Sequence, residues 1–547
     1  MIGTMMDFEL TIGSILLHAD RFHGDREIVS RQPDGGIVRS SYSQLLNRSR
    51  QLCNALTDLG VVAGDRVATL ATNSLRHLEV YFAVPAMGAI IHTVNPRLFP
   101  EQVEFIINHA QDKVLVVEPQ FVPLVQQIRG SLKNVRHIVV MGPGGGDDAA
   151  FLPYDELVEA APGAFDFPVI PERTGSALCY TSGTTGAPKG VLYSHRSVVL
   201  QSLVISGIDW FAVRRRDSLL PIVPMYHVNA WTLPFAAAMN GSKLVLPGSG
   251  LDSRSLFELI SAEQVTLAAG VPTIWTDLIQ FLEAQDERID SLERVLVGGT
   301  APTPSMIKTL EEKYGVQTCH GWGMTETSAG GLFNAPHDWE HLGNEDRRVM
   351  LGKQGRPPYP FNIRIVDADG KEAPWDGKTF GSLQIRGPSV TSSYYNGDGP
   401  PIEAAHEGWL PTGDIAVVDP AGYVEIVDRE KDVIKSGGEW ISSIALENIA
   451  ASHPDVAEAA VIGVPHPRWD ERPLLVVVPR AGCQPDPADL IAYFAGKCAK
   501  WWIPEEAVLV DSIPRQATGK VFKAKLREIY VGGSAKSPPA KAGPGLV

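Results

Sequence analysis

Cysteine is scarce: five in 547 residues, at positions 53, 179, 319, 483 and 498, with no CxxC pair and no His–Cys cluster at metal spacing. That excludes a disulfide scaffold and a structural zinc site, and it fits a reducing compartment. Long apolar runs are missing too. The best stretch, residues 81–92, is about twelve residues long and contains Pro85 and Gly88, short of the roughly 18 needed to span a bilayer. The first ten residues carry Asp7 and no basic segment, unlike a secretory leader. Positive charge is in deficit, with 48 Lys and Arg against 63 Asp and Glu for a net −15. Such a balance argues against non-specific binding to nucleic acid or anionic lipid. The one basic run, Arg214-Arg215-Arg216, is closed off by Asp217 and reads as solvated surface. What is abundant is core material, at 44% hydrophobic and 8% aromatic residues, which excludes a disordered chain. The expectation is a soluble, cytoplasmic, globular protein of roughly two to four domains.

From about residue 45 to 316, helical periodicities alternate with short β-branched runs. Residues 66–70, 112–117, 137–141, 243–246 and 294–297 read as strands, and 77–84, 253–262 and 304–313 as helices. This alternation predicts α/β layers on largely parallel sheets, with residues 142–148 (GPGGGDD) as a surface loop. After residue 360 the pattern changes to a small antiparallel unit built from 361–366, 381–386 and 423–427. An α+β stretch follows, with strands in 459–464 and 474–478 and a helix over 487–499. The expected fold is therefore α/β. A large N-terminal domain (residues 1–428) holds two α/β layered subdomains and a small β-rich one. A hinge at 429–431 leads to a small, mobile α+β domain at 432–531, and the tail, 532–547, has nothing to bury and is expected to be disordered.

Residues 180–190 read YTSGTTGAPKG. Thr181, Ser182, Thr184 and Thr185 offer hydroxyls, and Gly183, Gly186 and Gly190 let backbone N–H groups approach an oxyanion. Lys189 adds a point charge. A Walker loop needs Gly-Lys followed directly by Ser or Thr, whereas Lys189 follows a proline and precedes glycine, so that reading fails. A generic Ser/Thr/Gly turn is the plain alternative. An eleven-residue pattern placed just after a strand favours phosphate binding.

Other stretches carry chemistry of their own. In residues 224–231 (PMYHVNAW), His227 and Trp231 stand at i and i+4 and share a face if the segment is helical. Gly298-Gly299-Thr300 follows one strand and residues 320–326 (HGWGMTE) another, and glycines beyond a strand's carboxyl end let a planar ring lie on backbone. Glu326 is a suitable donor for a hard cation. Asp414 closes WLPTGD with a carboxylate fit for a ribose diol. The charged run 428–432 (DREKD) sits at the expected domain boundary, and Lys520 lies on the loop PRQATGK.

In this order, these motifs are similar to those of the AMP-forming acyl-CoA synthetases of the adenylate-forming superfamily, over residues 7–530. Within that superfamily the chain most resembles medium- and long-chain fatty acyl-CoA synthetases, and a close relative ligates 3-methylthiopropionate. The resemblance implies a two-step ligase using ATP, Mg²⁺ and CoA: a carboxylate attacks the α-phosphate to give acyl-AMP and pyrophosphate, and the CoA thiol then displaces AMP. Thr181, Ser182, Gly183, Thr184, Thr185 and Lys189 would hold the phosphates. Gly299, Thr300, His320, Gly321 and Trp322 would sandwich adenine, Thr325 would touch the α-phosphate, and Asp414 and Arg429 would bind the ribose. Glu326 and Thr181 would hold Mg²⁺. His227, Trp231, Gly298 and Gly323 would line the acyl site, with Trp231 similar to a gate at a fatty-acid tunnel. Lys520, with His227, Thr181 and Glu326, would be catalytic, bridging carboxylate and phosphate. The small domain would turn about Lys431 and present Lys435, Gly437, Gly438, Glu439, Trp440 and Glu471 to CoA. Trp322 stands where many relatives have Tyr, Thr300 where Ala or Ser is common, and Asp428-Arg429 replaces Gly-Arg. The resemblance also implies a homodimer, and Lys520 as a target of lysine acetyltransferases.

Two different classes compete. A serine hydrolase pairing Ser182 with His227 lacks the GxSxG elbow. A non-turnover adenylate sensor predicts loss of Lys520 or Glu326, and both are present. A luciferase-like oxygenase or a carrier-protein acylase shares the adenylation half, and free CoA is favoured because no carrier domain follows. Among acids, a medium- or long-chain fatty acid leads, with 3-methylthiopropionate and other short acids open.

Overall fold

Short runs of β-branched residues become strands because they are buried on both faces, as in a sheet covered by helices on each side. Arg66–Leu70, Ile90–Thr93 and Val114–Val117 are almost wholly buried. They pair in parallel, with Val67 opposite both Ile91 and Val114. The computed structural model describes residues 3–142, 150–181, 188–398, 401–402, 407–437, 439–515 and 521–531. The expected loop at 142–148 and the tail at 532–547 therefore lie largely or wholly outside the described residues.

Two compact units result: Met1–Ile363 with Ile385–Leu410 and Ala421–Val424, and Arg364–Gln384 with Pro411–Pro420 and everything from Glu425 onward. The first unit contains two large sheets. One has seven strands in the order Phe151–Pro153, His137–Val140, Val114–Val117, Arg66–Leu70, Ile90–Thr93, Gly175–Tyr180 and Gly190–Ser194. All of its pairings are parallel except the last, which is an antiparallel hairpin. The other has eight strands, in the order Gly331–Asn334, Gln317–Gly323, Arg294–Val297, Leu267–Gly270, Ser218–Pro221, Lys243–Leu246, Glu27–Arg31 and Ile37–Ser41. It is parallel inside and antiparallel at both edges. Helices such as Tyr42–Asp58, Leu75–Ala86 and Leu233–Asn240 supply the apolar core at the first sheet's face. Pro272–Gln285 and Pro304–Tyr314 do so beside the second, around the fully buried Trp275.

A four-stranded sheet orders Asn362–Val366, Gly381–Arg386, Leu410–Val418 and Val424–Arg429. The C-terminal part of the second unit has a five-stranded sheet whose centre is the long antiparallel pair Val456–His466 and Asp470–Pro479. The helix expected over 487–499 stops early, at Pro487–Ala492. Gly496, at φ +77°, cannot continue a right-handed helix, and the chain instead turns to bury Phe494. No helix among the described residues is long and apolar enough to cross a membrane.

Candidate functional site

Open parallel sheets present their loops at the strands' carboxyl ends, where ligands bind. At that edge of the eight-stranded sheet, Val297 pairs with His320, so the two glycine-bearing loops that follow are neighbours. A Cβ on Gly298 would stand 2.7 Å from Trp231 Cη2 and 3.0 Å from the Gly321 carbonyl oxygen. Gly298, Gly321 and Trp231 therefore meet, and only glycine permits it. Gly299, at φ +84°, and Thr300 are exposed, as is Gly323, whose missing Cβ would meet the Ala329 carbonyl at 2.3 Å. The half-buried Trp322 ring packs over Gly331, where a Cβ would approach to 2.7 Å. His320 is buried and contacts the Lys353 carbonyl through Nδ1 at 2.7 Å. Burial pushes its imidazole down to about 4, so it is neutral at pH 7.

The His227–Trp231 segment departs from expectation. Val228, Asn229, Ala230, Trp231 and Thr232 all have positive φ, from +46° to +60°. The turn is left-handed and begins after His227, which is extended, so the right-handed i, i+4 relation does not hold. A left-handed turn costs about 1–2 kcal/mol per non-glycine residue, and long-range hydrogen bonds hold the segment that leads into it. Asn73 Nδ2 donates to the carbonyls of Pro221 and Val223 at 2.8 and 2.9 Å, and its Oδ1 accepts from Met225 N–H at 2.7 Å. The Tyr81 hydroxyl donates to the Met225 carbonyl and, at 3.4 Å, to Asn229 Oδ1. His227 itself is exposed.

The phosphate-loop sequence connects two antiparallel strands, Gly175–Tyr180 and Gly190–Ser194. Ser182, Gly183, Thr184 and Thr185 lie outside the described residues, but both ends of the loop are placed. Thr181 N–H donates to the Lys189 carbonyl at 2.9 Å, and Lys189 N–H donates to Thr181 Oγ1 at 3.2 Å. Lys189 is exposed, and its Nζ sits 4.7 Å from the centre of the Tyr394 ring. Tyr394 in turn donates its hydroxyl to Glu326 Oε1 at 2.9 Å. Glu326 is buried, and its backbone is clamped from both sides. Thr391 N–H donates to its carbonyl at 2.8 Å, and the Tyr193 hydroxyl donates to the carbonyl of Thr325 at 2.7 Å. The first unit thus gathers Thr181, Lys189, Thr325 and Glu326 around residues 389–394.

In the second unit, Gly413 adopts φ +71° and turns the chain so that Asp414 is buried and pairs with Arg429 Nε at 3.0 Å. Beyond Arg429, Lys431 is exposed, and its carbonyl accepts from Arg527, which also pairs with Asp432. Asp428 is buried and accepts from Ser443 N–H and Oγ, and burial pushes its carboxyl up. Lys435 stands opposite Trp440 in a two-strand hairpin, and Lys435 N–H donates to Glu471 at 2.9 Å. Gly437, at φ +62°, donates to the Trp469 carbonyl at 2.8 Å. Glu439 begins the strand Glu439–Ile441. Lys520 and Gly438 lie outside the described residues.

A model of the AMP-binding enzyme family matches residues 17–395, and one of the AMP-binding enzyme C-terminal domain matches residues 445–520. The chain belongs to the AMP-binding enzymes. It is 50% identical over 535 residues to a 3-methylmercaptopropionyl-CoA ligase of Ruegeria lacuscaerulensis, covering 97% of this chain and 99% of that one. A medium-chain-fatty-acid–CoA ligase of Ectopseudomonas oleovorans is 45% identical, covering 97% and 98%. Among solved structures, the anthranilate CoA ligase AuaEII in complex with anthranoyl-AMP superposes with TM-score 0.85 at 25% identity, covering 97% and 99%.

Sequence reasoning missed three residues of this AMP-binding enzyme that shape the site: Tyr394, Asn73 and Tyr81. Tyr394 lies in a Ser/Tyr run that reads as a loop, and its partner Glu326 is 68 positions away. Asn73 precedes the Ser74 N-cap of the helix Leu75–Ala86 and reads as a turn residue. Tyr81 falls within that helix's apolar pattern. None carries a local signal.

Proposed function

We propose that this AMP-binding enzyme joins a medium- or long-chain fatty acid to CoA through an acyl-adenylate. The reaction class, AMP-forming acid–thiol ligation with ATP and CoA, follows from the family together with relatives at 45–50% identity that are CoA ligases. The observation that carries the nucleotide half is the convergence of Lys189 and Glu326 on Tyr394. A lysine at the end of a glycine-rich hairpin and a buried carboxylate make a pair suited to a triphosphate and its cation.

Little covalent work falls to the protein in phosphoryl chemistry, so positioning and charge dominate. Lys189 and the Thr181 hydroxyl would hold phosphate oxygens. The loops at 298–300 and 320–322 would take adenine, with neutral His320 as a wall. Asp414 would accept from the ribose hydroxyls, and Arg429 pairs with it. Lys520 would meet the charge that builds between carboxylate and α-phosphate. His227 and Trp231, beside Gly298, would border the acyl group, and Gly323 would lie next to them. For Mg²⁺, no cluster of three or more His, Cys, Asp or Glu occurs among the described residues. That fits a cation held by one carboxylate and substrate phosphates rather than by a protein cage. Glu326, with Thr181, would hold it, and the ion would neutralise charge on the phosphates.

For the second step, the C-terminal domain would turn about Lys431, withdrawing Lys520 and bringing Lys435, Gly437, Gly438, Glu439, Trp440 and Glu471 to CoA. Domain limits at 428/429 and 431/432, a homodimer, a cytoplasmic location and acetylation of Lys520 belong to the same reading. A second acid, 3-methylmercaptopropionate, is favoured by the relative at 50% identity. The test is AMP and pyrophosphate release with ATP, Mg²⁺ and CoA across straight-chain acids from acetate to palmitate, plus 3-methylmercaptopropionate and benzoate. A maximum among the longer fatty acids supports the first reading. Activity confined to the thioether acid replaces it with the second, and AMP bound without release for any acid defeats both.

A further inference from the structure

The Tyr394 side chain touches two charges of opposite sign that a triphosphate site has to keep apart. Its hydroxyl donates to Glu326 Oε1 at 2.9 Å, and its ring face receives the Lys189 ammonium at 4.7 Å. A carboxylate has two oxygens and about four acceptor positions, and among the described residues only this hydroxyl occupies Glu326. An ammonium seated on an aromatic face keeps its other N–H groups for phosphate. With the phenol removed, the lysine and the carboxylate would be free to pair with each other and cancel before substrate arrives.

The arrangement is braced independently of any ligand. Thr391 N–H donates to the Glu326 carbonyl at 2.8 Å, and Ser328 Oγ donates to the Ser389 carbonyl at 3.0 Å. Ser389 Oγ donates to the Ser197 carbonyl at 3.2 Å, on the helix His195–Ser206. Residues 389–394 are therefore pinned at one end to that helix and at the other to the Glu326 turn. Tyr394 is placed by the fold rather than by its own loop.

We propose that Tyr394 is a positioning residue for both counter-charges of the triphosphate. By holding Oε1 of Glu326 it leaves the second carboxylate oxygen to the divalent ion that accompanies ATP, and by seating Lys189 it keeps that ammonium for phosphate. This rests on the reading that Glu326 holds the cation. Partners that orient a metal-binding carboxylate typically contribute 10- to 100-fold in metal affinity.

The test is direct binding of Mn²⁺ to the enzyme–ATP complex, followed by electron paramagnetic resonance, beside ATP affinity measured by calorimetry in EDTA. Tyr394→Phe removes only the hydroxyl. It should weaken Mn²⁺ about tenfold and leave ATP affinity in EDTA unchanged, which also certifies the fold. Tyr394→Ala removes the ring as well and should further weaken ATP in EDTA by about two- to fivefold. Glu326→Gln separates the two layers of the argument. If it weakens Mn²⁺ and Tyr394→Phe does not, the positioning role is overturned while Glu326 keeps its place. If Glu326→Gln leaves Mn²⁺ affinity intact, both readings fall.

Discussion

Adding one methyl group at Gly298 should be felt through Trp231. A Cβ there would lie 2.7 Å from Trp231 Cη2, 3.1 Å from Cζ2 and 3.0 Å from the Gly321 carbonyl oxygen. Two of the three contacts are with an indole that can move, and one is with backbone that cannot. Overpacking of this kind costs about 1–3 kcal/mol of folding stability, and as the strain displaces Trp231, Gly298→Ala should also lower kcat/KM for the preferred acid. The physical claim lies in the coupling. In a Trp231→Ala background the two indole contacts vanish and only the carbonyl contact remains. Gly298→Ala should then cost at least about 1 kcal/mol less than it does alone. The assay is kcat/KM across the straight-chain acids for the wild type, both single variants and the double variant, with urea denaturation to separate folding from catalysis. Trp231→Ala alone should change the chain-length profile. Equal costs for Gly298→Ala with and without Trp231 would mean the indole does not press on that glycine, and an unchanged profile would return Trp231 to plain packing.

Lys520→Ala should abolish acyl-AMP formation while sparing thioester formation from added acyl-adenylate, and equal loss of both half-reactions would remove the assigned role. Asn73→Ala strands two carbonyls and an N–H in the core and should destabilise the protein by about 3–4 kcal/mol in chemical denaturation; a loss under about 1 kcal/mol would show that the segment from Pro221 to Met225 does not depend on it. His77, His195 and His320 are buried and pushed down to about 4 by burial. Above about pH 6.5 neither state carries these protons. Below it the unfolded chain takes them up and the folded one does not, so stability should fall between pH 6.5 and 4, by up to about 4 kcal/mol per pH unit for three such groups. Urea midpoints unchanged from pH 7 to 5 would contradict this.

Elements whose cause is local were legible. The runs at Arg66–Leu70, Lys243–Leu246, Arg294–Val297 and Gly381–Arg386 keep the limits their β-branched composition sets, and so does the helix Ser253–Ala262 with its Asp252 cap. The strand preceding Lys189 and the glycines after Val297 were readable for the same reason. A ligand loop on an open sheet follows a strand's carboxyl end, and a short apolar run ending in Gly, Ser or Thr marks that end. The turn at Val228–Thr232 was not legible. Only Asn229 in it is a residue that favours positive φ, and its long-range partner Tyr81 lies 148 positions away, as Asn73 lies 150 from the Val223 that it holds just before the turn.

The same division separates the residues expected to meet substrate from those that orient them. Thr181, Lys189, Glu326 and Asp414 occupy short motifs because each needs a particular backbone approach that its own neighbours provide: glycines beside Lys189, and Gly413 at φ +71° before Asp414. Tyr394, Asn73 and Tyr81 act on backbone or charge brought to them by the tertiary fold, and any segment of suitable reach would serve. A function whose reacting groups are locally encoded, while their orientation is globally encoded, is open to recognition from sequence and closed to tuning from it. The acid shows this directly. The groups expected around it include His227, which is extended, Trp231, which lies in a left-handed turn, and Gly298, which is fixed by contact with the other two loops. Tyr81 reaches Asn229 within that turn, so the space these groups leave is set in part by a residue that lies outside every motif.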